Sequence, residues 1–210
     1  ILAMIDNRLQ LDQADDIKLF VEKLYERLAP EDVLGIQPDN LYGSALSVYK
    51  FAANREPGTA KIRAFSPTLD EHGWKTSHTV IEIVNDDMPF LVDSVTAALN
   101  QRGINVHLVI HPVIHVERDK KGKHIAFHNA ASKGKQQGSL ESFMHLEVDE
   151  QSDPDILADI ERELFHVLED VRAAVADWKP ILSQVDKIVD KLKKSPPKLE
   201  KAEIDEGRAL

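Results

Sequence analysis

Two adjacent carboxylates, Asp86 and Asp87, are the first residues of this 210-residue sequence to suggest chemistry. They lie in the stretch IVNDDMPFLVDSV, where strand-forming residues give way to a proline and to an apolar pattern of longer period. An acid/base pair would need both side chains on one substrate atom, but neighbouring side chains of an extended segment point in opposite directions. The stretch lacks glycine and its carboxylates would repel an anion, so a phosphate loop is also a poor fit. A ligand-binding turn and the start of a helix remain.

The start of a helix is the simplest interpretation of these residues taken singly. Asp87 can accept hydrogen bonds from the free N–H groups of a first helical turn, and its charge suits the positive end of the helix dipole. Pro89 falls where a missing N–H donor does no harm. We therefore expect a helix over 88–102 with Gly103 as its stop. We also expect Phe90 to be a buried side chain whose loss weakens the core.

The nine histidines raise the possibility of a metal site. His107, His111 and His115 share one face of a predicted strand, but four residues along a strand span roughly 13 Å, so no two of them can bind one ion. A cross-strand pair that includes His145 stays open. A polar outer face of the sheet is the favoured interpretation, and we expect no metal centre. No G-x-S-x-G motif suggests a serine nucleophile.

Composition and charge exclude several classes of partner. The net charge of −10 argues against nucleic acid and anionic membranes, which reward clustered Lys and Arg. No apolar run approaches the roughly 18 residues of a membrane span. Hydrophobic residues make up 42% of the chain, enough for a real core. The absence of cysteine excludes disulfides and thiol chemistry, and it agrees with an expected cytoplasmic location.

Periodicity predicts which elements position these residues. Helical spacing predicts helices near 15–28 and 38–52, and a boundary follows at NREPG. Alternation predicts strands over 61–65, 78–84, 104–118, 123–127 and 142–150, joined by a flexible loop over 130–139. Pro112 places the third strand at an edge or on a bulge. A long helix opens at Asp153-Pro154, and Lys179-Pro180 restarts the pattern as a separate helix.

The order of these elements predicts an α+β fold. A strand, a helix and a second strand, followed by antiparallel strands and another helix, form a ferredoxin-like sandwich, an antiparallel-rich sheet with two helices on one face. The usual closing strand is missing. We expect strand 61–65 to take that edge position beside strand 78–84, in a permuted order.

The turn itself resembles that of the ACT domain, a ligand-sensing module of amino-acid metabolism. In that family the strand-to-helix turn commonly reads Asp-x-Pro-Gly-Leu, and here Asp87-Met88-Pro89-Phe90-Leu91 stands in its place. The resemblance implies that a small effector such as an amino acid binds at the turn, formed by Asn85, Asp86, Asp87, Met88, Pro89, Phe90 and Leu91. Phe90 occupies the position of the family's glycine.

A narrower resemblance covers the chain from about Phe20 to the final EIDEGRAL. The segments LYGSALSVYKFAANREPG, SPTLDEHGWKTSHTVIEIVNDDMPFLVDSV, IHPV and ESFMHLEVDEQSD are similar, in that order, to the amino-terminal region of large-type, NAD-specific glutamate dehydrogenases. The resemblance implies a parent enzyme that oxidatively deaminates L-glutamate to 2-oxoglutarate with NAD. It places the catalytic and dinucleotide-binding domains downstream. No G-x-G-x-x-G follows any predicted strand, so we expect no cofactor in this chain.

The expected organisation is a helical arm over 1–56, an ACT-like sandwich over 57–178, an extra helix over 179–195 and a linker over 196–210. The chain begins at Ile1 and ends on a helix-like pattern, so we expect a fragment of a longer protein. The expected partners are other domains of the same polypeptide, further copies in a homo-oligomer, and a small amino-acid effector. The alternative is a free-standing sensor that binds its effector at the Asp87 turn. An independent enzyme lacks a supporting set of residues.

Overall fold

The computed structural model describes residues 1–8, 11–128 and 138–194. Its helices are α1 (Leu2–Arg8), α2 (Leu11–Tyr25), α3 (Pro30–Val33), α4 (Pro38–Phe51), α5 (Leu69–His72), α6 (Leu91–Gln101) and α7 (Pro154–Lys194). Its strands are β1 (Lys61–Phe65), β2 (Thr79–Asp86), β3 (Val106–Ile110), β4 (Val113–Arg118), β5 (His124–His128) and β6 (Ser139–Val148). Every segment predicted as a strand contains a strand, and α5 is a short helix between β1 and β2.

The strands form one antiparallel sheet in the order β1-β2-β6-β4-β5, with β3 also paired to β6. The central strand β6 lies between β2 on one side and both β3 and β4 on the other. Strand β1 pairs with β2 at the edge, from Lys61 opposite Val84 to Phe65 opposite Val80. The predicted ferredoxin-like sandwich with a permuted edge strand is confirmed.

The strand predicted over 104–118 is in fact two strands. Strand β3 pairs with the second half of β6 and β4 with its first half, and His111-Pro112 lies between them. Proline has no N–H to give to a ladder, so pairing stops at this residue. The carbonyl of Pro112 still accepts a hydrogen bond of 3.0 Å from the N–H of Phe143. The chain therefore bends at His111-Pro112, and β3 and β4 both pair with β6.

The arm packs on one face of the sheet in the same chain. Phe20 of α2 lies at the centre of this core, 4.9 Å from the ring of Phe127 and 5.5 Å from that of Phe143. The other buried residues of the cluster include Ile17, Val21, Leu24, Ala45, Val48, Val84, Ile110, Ile114 and Val116. The sequence predicted the arm's helices but not the surface that they cover.

Helix α6 and the first part of α7, up to Glu169, belong to the opposite face. Along β2 and β6 the side chains that alternate with the arm core are Ile81, Ile83, Met144 and Leu146, all fully buried. The helices bury Leu91, Val95, Leu99, Ile160, Leu164 and Leu168. Because helices cover both faces, most residues of β2 and β6 are buried whichever face they are on.

Helix α7 runs without interruption through Pro180, so the separate helix predicted from Lys179-Pro180 is wrong. Proline removes one hydrogen bond from a helix, and here that loss does not end it. The chain divides into a compact unit over Ile1–Glu169 and a second over Asp170–Leu210. Helical spacing from Leu157 predicts Trp178 on the apolar stripe of α7, but its side chain is 60% exposed. The predicted linker 196–210 and most of the predicted loop 130–139 lie outside the described residues.

Gly43 of α4 and Trp74 of the loop between β1 and β2 lie very close together, and this contact determines how the arm packs on that loop. A Cβ at Gly43 of α4 would lie 2.4 Å from the Cβ of Trp74, closer than two carbon atoms can approach. Trp74 is buried against this position. Glycine is therefore required at residue 43 despite its cost inside a helix.

Candidate functional site

The turn between β2 and α6 lies where it was predicted, but its parts have different roles. Strand β2 continues to Asp86, and α6 begins only at Leu91 with Phe90 as its N-cap. The prediction of a helix over 88–102 capped by Asp87 is therefore wrong at its start. The N–H of Asp87 donates to the carbonyl of Leu140 at 3.1 Å, which extends the sheet by one residue. Asp87 closes the strand and does not cap the helix.

Phe90 has a left-handed backbone, with φ of 70°. Its side chain is 63% exposed, so the prediction of a buried Phe90 is also wrong. A bulky residue seldom adopts positive φ, whereas glycine does so without steric cost. The chain thus keeps, with phenylalanine, the backbone conformation that suits a glycine at this position of the turn.

Asp86 is held by a buried arginine. Its Oδ1 accepts a 2.7 Å hydrogen bond from Nη2 of Arg55, which follows the arm and is 3% exposed. Arg55 also donates from Nε to Glu141 Oε2 at 3.2 Å. Arg118 of β4 donates to both oxygens of Glu141, at 2.7 and 2.8 Å. Four charged side chains from the arm, β2, β4 and β6 form one network.

The charges in this network balance. Burial disfavours the ionised form of Glu141, but hydrogen bonds from Arg118 and Arg55 outweigh this effect and hold the pKa of the carboxyl below its ordinary value. An ionised carboxylate fixed between two guanidinium groups has no tendency to take up a proton. The network therefore suits a structural clamp on the turn and does not suit a general acid or base.

Sequence reasoning missed Arg55, Glu141 and Arg118. One signal was available, because Glu141 lies in the same alternation on β6 as the buried Phe143 and His145. A carboxylate on a buried face needs a cationic partner. Arg55 lies in the NREPG segment, whose composition predicts a boundary and gives no sign of a buried charge.

The other residues of the candidate site divide between sheet, helix and surface. Asn85 is fully buried on β2 opposite Ser142, and Leu91 is buried as the first residue of α6. Met88 is half-buried, and Pro89 is exposed together with Asp87 and Phe90. The structure brings all seven residues into one turn, with Asp87, Pro89 and Phe90 available to a ligand.

The predicted row of histidines separates into individual contacts. His107 Nε2 lies 2.7 Å from Asp149 Oδ1, and His111 Nε2 lies 2.7 Å from Ser142 Oγ. Burial lowers the pKa of His111. Within residues 1–8, 11–128 and 138–194, no group of three or more metal-binding side chains is close enough to hold an ion. No helix in the same ranges is long and apolar enough to cross a membrane.

Comparison with known proteins agrees with this fold. Residues 20–164 match the family described as "Glutamate dehydrogenase, ACT1 domain". The chain is 36% identical over 195 residues to the NAD-specific glutamate dehydrogenase of Halomonas elongata, and 31% identical over 193 residues to that of Pseudomonas aeruginosa. Each match covers 92% of this chain and 12% of the relative. The chain belongs to the glutamate dehydrogenase ACT1 domain family.

Proposed function

We propose that this chain is a non-catalytic regulatory and assembly region of an NAD-specific glutamate dehydrogenase. The parent enzyme converts L-glutamate, NAD+ and water to 2-oxoglutarate, ammonia and NADH, and NAD binds to another part of the polypeptide. One observation carries the proposal: nearly the whole chain is similar to two proteins of that name, although it spans only 12% of their length.

The chemistry of the turn supports a non-catalytic role. Asp86 is neutralised by Arg55, and Glu141 is neutralised by Arg55 and Arg118. Structural ion pairs of this kind position the backbone, and the two paired carboxylates are not ready to exchange a proton. The sequence also lacks the glycine pattern that brings a backbone close to a dinucleotide.

The regulatory part of the proposal concerns Asn85–Leu91. The positive φ at Phe90 keeps the backbone shape of a glycine turn, and Asp87 is an exposed carboxylate beside it. A small amino acid can place its ammonium group on Asp87, while the first N–H groups of α6 suit its carboxylate. The exposed Phe90 ring covers the ligand or meets a neighbouring domain.

The assembly part concerns the second half of α7. The stripe of Trp178, Ile181, Leu182, Val185 and Ile188 is exposed, with spacings of three and four residues. Before the stripe this part of the helix carries Asp170, Arg172 and Asp177, and its last turns carry Asp186 and Asp190 together with Lys187, Lys191, Lys193 and Lys194. The start is therefore net acidic and the end net basic, so two such helices in antiparallel register place the acidic start of one opposite the basic end of the other. A second copy of the chain is therefore the expected occupant of the stripe, in a homo-oligomer.

Two substitutions test assembly. Leu182→Asp puts a charge on the stripe, and Ser183→Asp puts the same charge on the neighbouring exposed position away from it. We expect Leu182→Asp to lower the sedimentation coefficient to that of a monomer and Ser183→Asp to leave it unchanged. A wild-type chain that is monomeric at high concentration would disprove this part.

The test of regulation uses the full-length enzyme. We expect Asp87→Ala to leave kcat without effector within about twofold, since no chemical step is lost, while the response to amino-acid effectors falls. The matched control is Glu56→Gln, which alters an exposed carboxylate outside the turn. A fall in kcat of several orders of magnitude in Asp87→Ala would mean that the turn takes part in catalysis.

The second candidate is a free-standing amino-acid sensor that uses the same turn. The left-handed backbone at Phe90 favours it, because that conformation is retained in a residue that adopts it poorly. Calorimetric titration of the 210-residue chain with amino acids tests whether the turn binds an effector, which both candidates require. Micromolar binding that is lost in Asp87→Ala supports ligand sensing at the turn, and absence of binding at millimolar ligand favours a purely structural region.

A further inference from the structure

A cavity lies between the arm and the sheet, away from the turn. Its volume is about 360 Å³, and it is lined by residues of α2, α4, the loop after β1, β3 and β6. Pockets for small ligands start at about 300 Å³, so this one suits a small organic molecule. It faces the arm side of the sheet, because Glu147 and His145 lie on the same side of β6 as the arm core.

Glu147 is the main polar feature of its floor. The pKa of Glu147 falls to about 2: burial acts against the ionised form, but contacts with His145, His78 and Thr76 outweigh it. Its Oε2 accepts hydrogen bonds from Thr76 Oγ1 at 2.9 Å and from His78 Nδ1 at 2.8 Å. An ionised carboxylate can only accept, so the Nδ1 of His78 carries the proton.

The second oxygen of Glu147 is not used in this way. Within the described part of the chain, Oε1 accepts no hydrogen bond, and its contact with His145 Nε2 spans 3.9 Å. The Glu147 side chain is only 14% exposed, so this oxygen has little access to bulk water. A charged oxygen that is poorly hydrated and has no protein donor is costly, and a ligand N–H would reduce that cost.

His145 is the second polar group with unused capacity. The side chain is 2% exposed, and its Nδ1 makes no hydrogen bond to any described residue. The nearest carboxylate oxygen to Nδ1 is Glu82 Oε1 at 3.9 Å. Both ring nitrogens therefore face carboxylate oxygens at 3.9 Å, which is too long for a hydrogen bond. His145 lines the cavity, so a ligand group has room beside it.

The rest of the lining is suited to an apolar body. Leu28, Ile36, Leu41, Leu108 and Ile110 contribute aliphatic walls, and the buried ring of Trp74 lies 6.1 Å from that of His145. An aromatic face also attracts a cation. We propose that this cavity binds a small molecule with a protonated amino group, which donates to Glu147 Oε1 while a short apolar chain lies along these walls. The site is separate from the turn and does not depend on the role proposed for it.

His145 has a defined part in such binding. Burial lowers the pKa of His145, but the carboxylates of Glu147 and Glu82 outweigh burial and raise it overall. The ligand's ammonium competes with the histidine proton for Glu147, so binding releases that proton. Among the described residues, the other charged or titratable groups around it are Tyr25, Asp32 and Lys75 in the lining, His78 and His107 beside Glu147, and Arg63 on Glu82. Amine binding should therefore tighten as the pH rises through the raised pKa of His145.

Two matched probes test the amine specificity. n-Butylamine and n-butanol have the same apolar chain, and only the amine is a cation at neutral pH. Trp178→Phe leaves Trp74 as the remaining tryptophan, so its fluorescence reports on this cavity. We expect millimolar binding of butylamine to the 210-residue chain and at least about tenfold weaker binding of butanol, as charge-assisted hydrogen bonds allow.

Two variants identify the site. We expect Glu147→Gln to weaken butylamine binding by about tenfold or more, and Glu56→Gln, at an exposed carboxylate elsewhere, to leave it unchanged. Ile36→Phe narrows the cavity from a half-buried loop position without changing any charge or adding a tryptophan, so it should weaken binding even if Glu147→Gln folds poorly. Equal binding of the two probes, no binding of the amine at millimolar concentration, or undiminished binding in Ile36→Phe would each overturn the proposal.

Discussion

Arg55 Nη2 lies 2.7 Å from Asp86 Oδ1, so the residue that follows the helical arm neutralises the first carboxylate of the strand-to-helix turn. The same guanidinium reaches Glu141 Oε1 at 2.9 Å. One side chain thus joins the end of the arm to β2 and to the central strand β6. The carboxylate pair that first suggested catalysis is, at Asp86, part of the frame that holds the arm on the sheet.

Arg55→Met tests this frame. The substitution keeps an apolar stem but leaves the fully buried Glu141 with Arg118 as its single cationic partner among the described residues. Breaking a buried pair from one side costs about 3–5 kcal/mol, and since Arg118 remains we expect about 3 kcal/mol off the free energy of unfolding. Urea denaturation followed by circular dichroism gives the value.

The matched control is Arg102→Met, which removes an arginine from the partly exposed ion pair with Glu163. Surface pairs contribute about 0–1 kcal/mol, so the loss should be at most about 1 kcal/mol. Equal losses in the two variants would show that the Arg55 network is no stronger than a surface contact.

Phe90→Gly is expected to stabilise the fold, not to weaken it. Positive φ costs a residue with a Cβ about 1 kcal/mol, and the exposed ring contributes little to the core. Phe90→Ala removes the ring but keeps the Cβ, so the glycine variant should be more stable than the alanine variant by about 1 kcal/mol. Thermal unfolding compares all three proteins. A loss of several kcal/mol in both variants would place Phe90 in the core.

The error at Phe90 shows what periodicity cannot detect. Helical spacing predicts an apolar face that includes Leu91, Val95 and Leu99, and the structure buries all three. The first residues of a helix are set by backbone conformation and by what the preceding strand can still pair with. Here Leu140 accepts from Asp87 and extends the strand. That contact is long-range in sequence, so local pattern does not reveal it.

Gly43→Ala should destabilise the protein although alanine is the better helix former. Propensity alone would favour alanine by about 1 kcal/mol. The new methyl carbon would lie 2.4 Å from Trp74 Cβ and 2.6 Å from its Cγ, so the arm or the loop must move. Overpacking typically costs about 1–3 kcal/mol, and we expect a net loss in that range. The denaturation midpoint measures it, and a more stable variant would contradict the packing of Trp74 on α4.

Acid should destabilise the fold in part through Glu147. The folded pKa of about 2 lies below the ordinary value of 4.5, so the carboxylate stabilises the fold fully above pH 4.5 and loses that contribution as the pH falls towards 2. The shift corresponds to at most about 3 kcal/mol. Urea midpoints measured through this range should fall less steeply in Glu147→Gln than in Glu56→Gln. Parallel curves would mean that Glu147 has an ordinary pKa.

The cavity beside Glu147 illustrates a second limit of sequence reasoning. Strand alternation predicts that Met144, Leu146 and Val148 face a core, and all three are fully buried. The same alternation predicts a polar surface on the opposite side of β6, because nothing in the sequence indicates that the arm packs there. Once α2 and α4 cover that side, His145 becomes one of the most buried polar residues in the described part of the chain. Burial by a segment that is distant in sequence is a tertiary effect. It turns a polar residue that the local pattern places on the surface into part of a buried site.

The most direct test of the central claim is whether this chain turns over glutamate by itself. The purified 210-residue protein is mixed with L-glutamate and NAD+, and NADH formation is followed by absorbance, with the full-length enzyme of Pseudomonas aeruginosa as the positive control. We predict NADH formation by the full-length enzyme and none by the chain above the rate without protein. Glutamate-dependent NADH formation by the chain, lost on heating, would contradict a non-catalytic region.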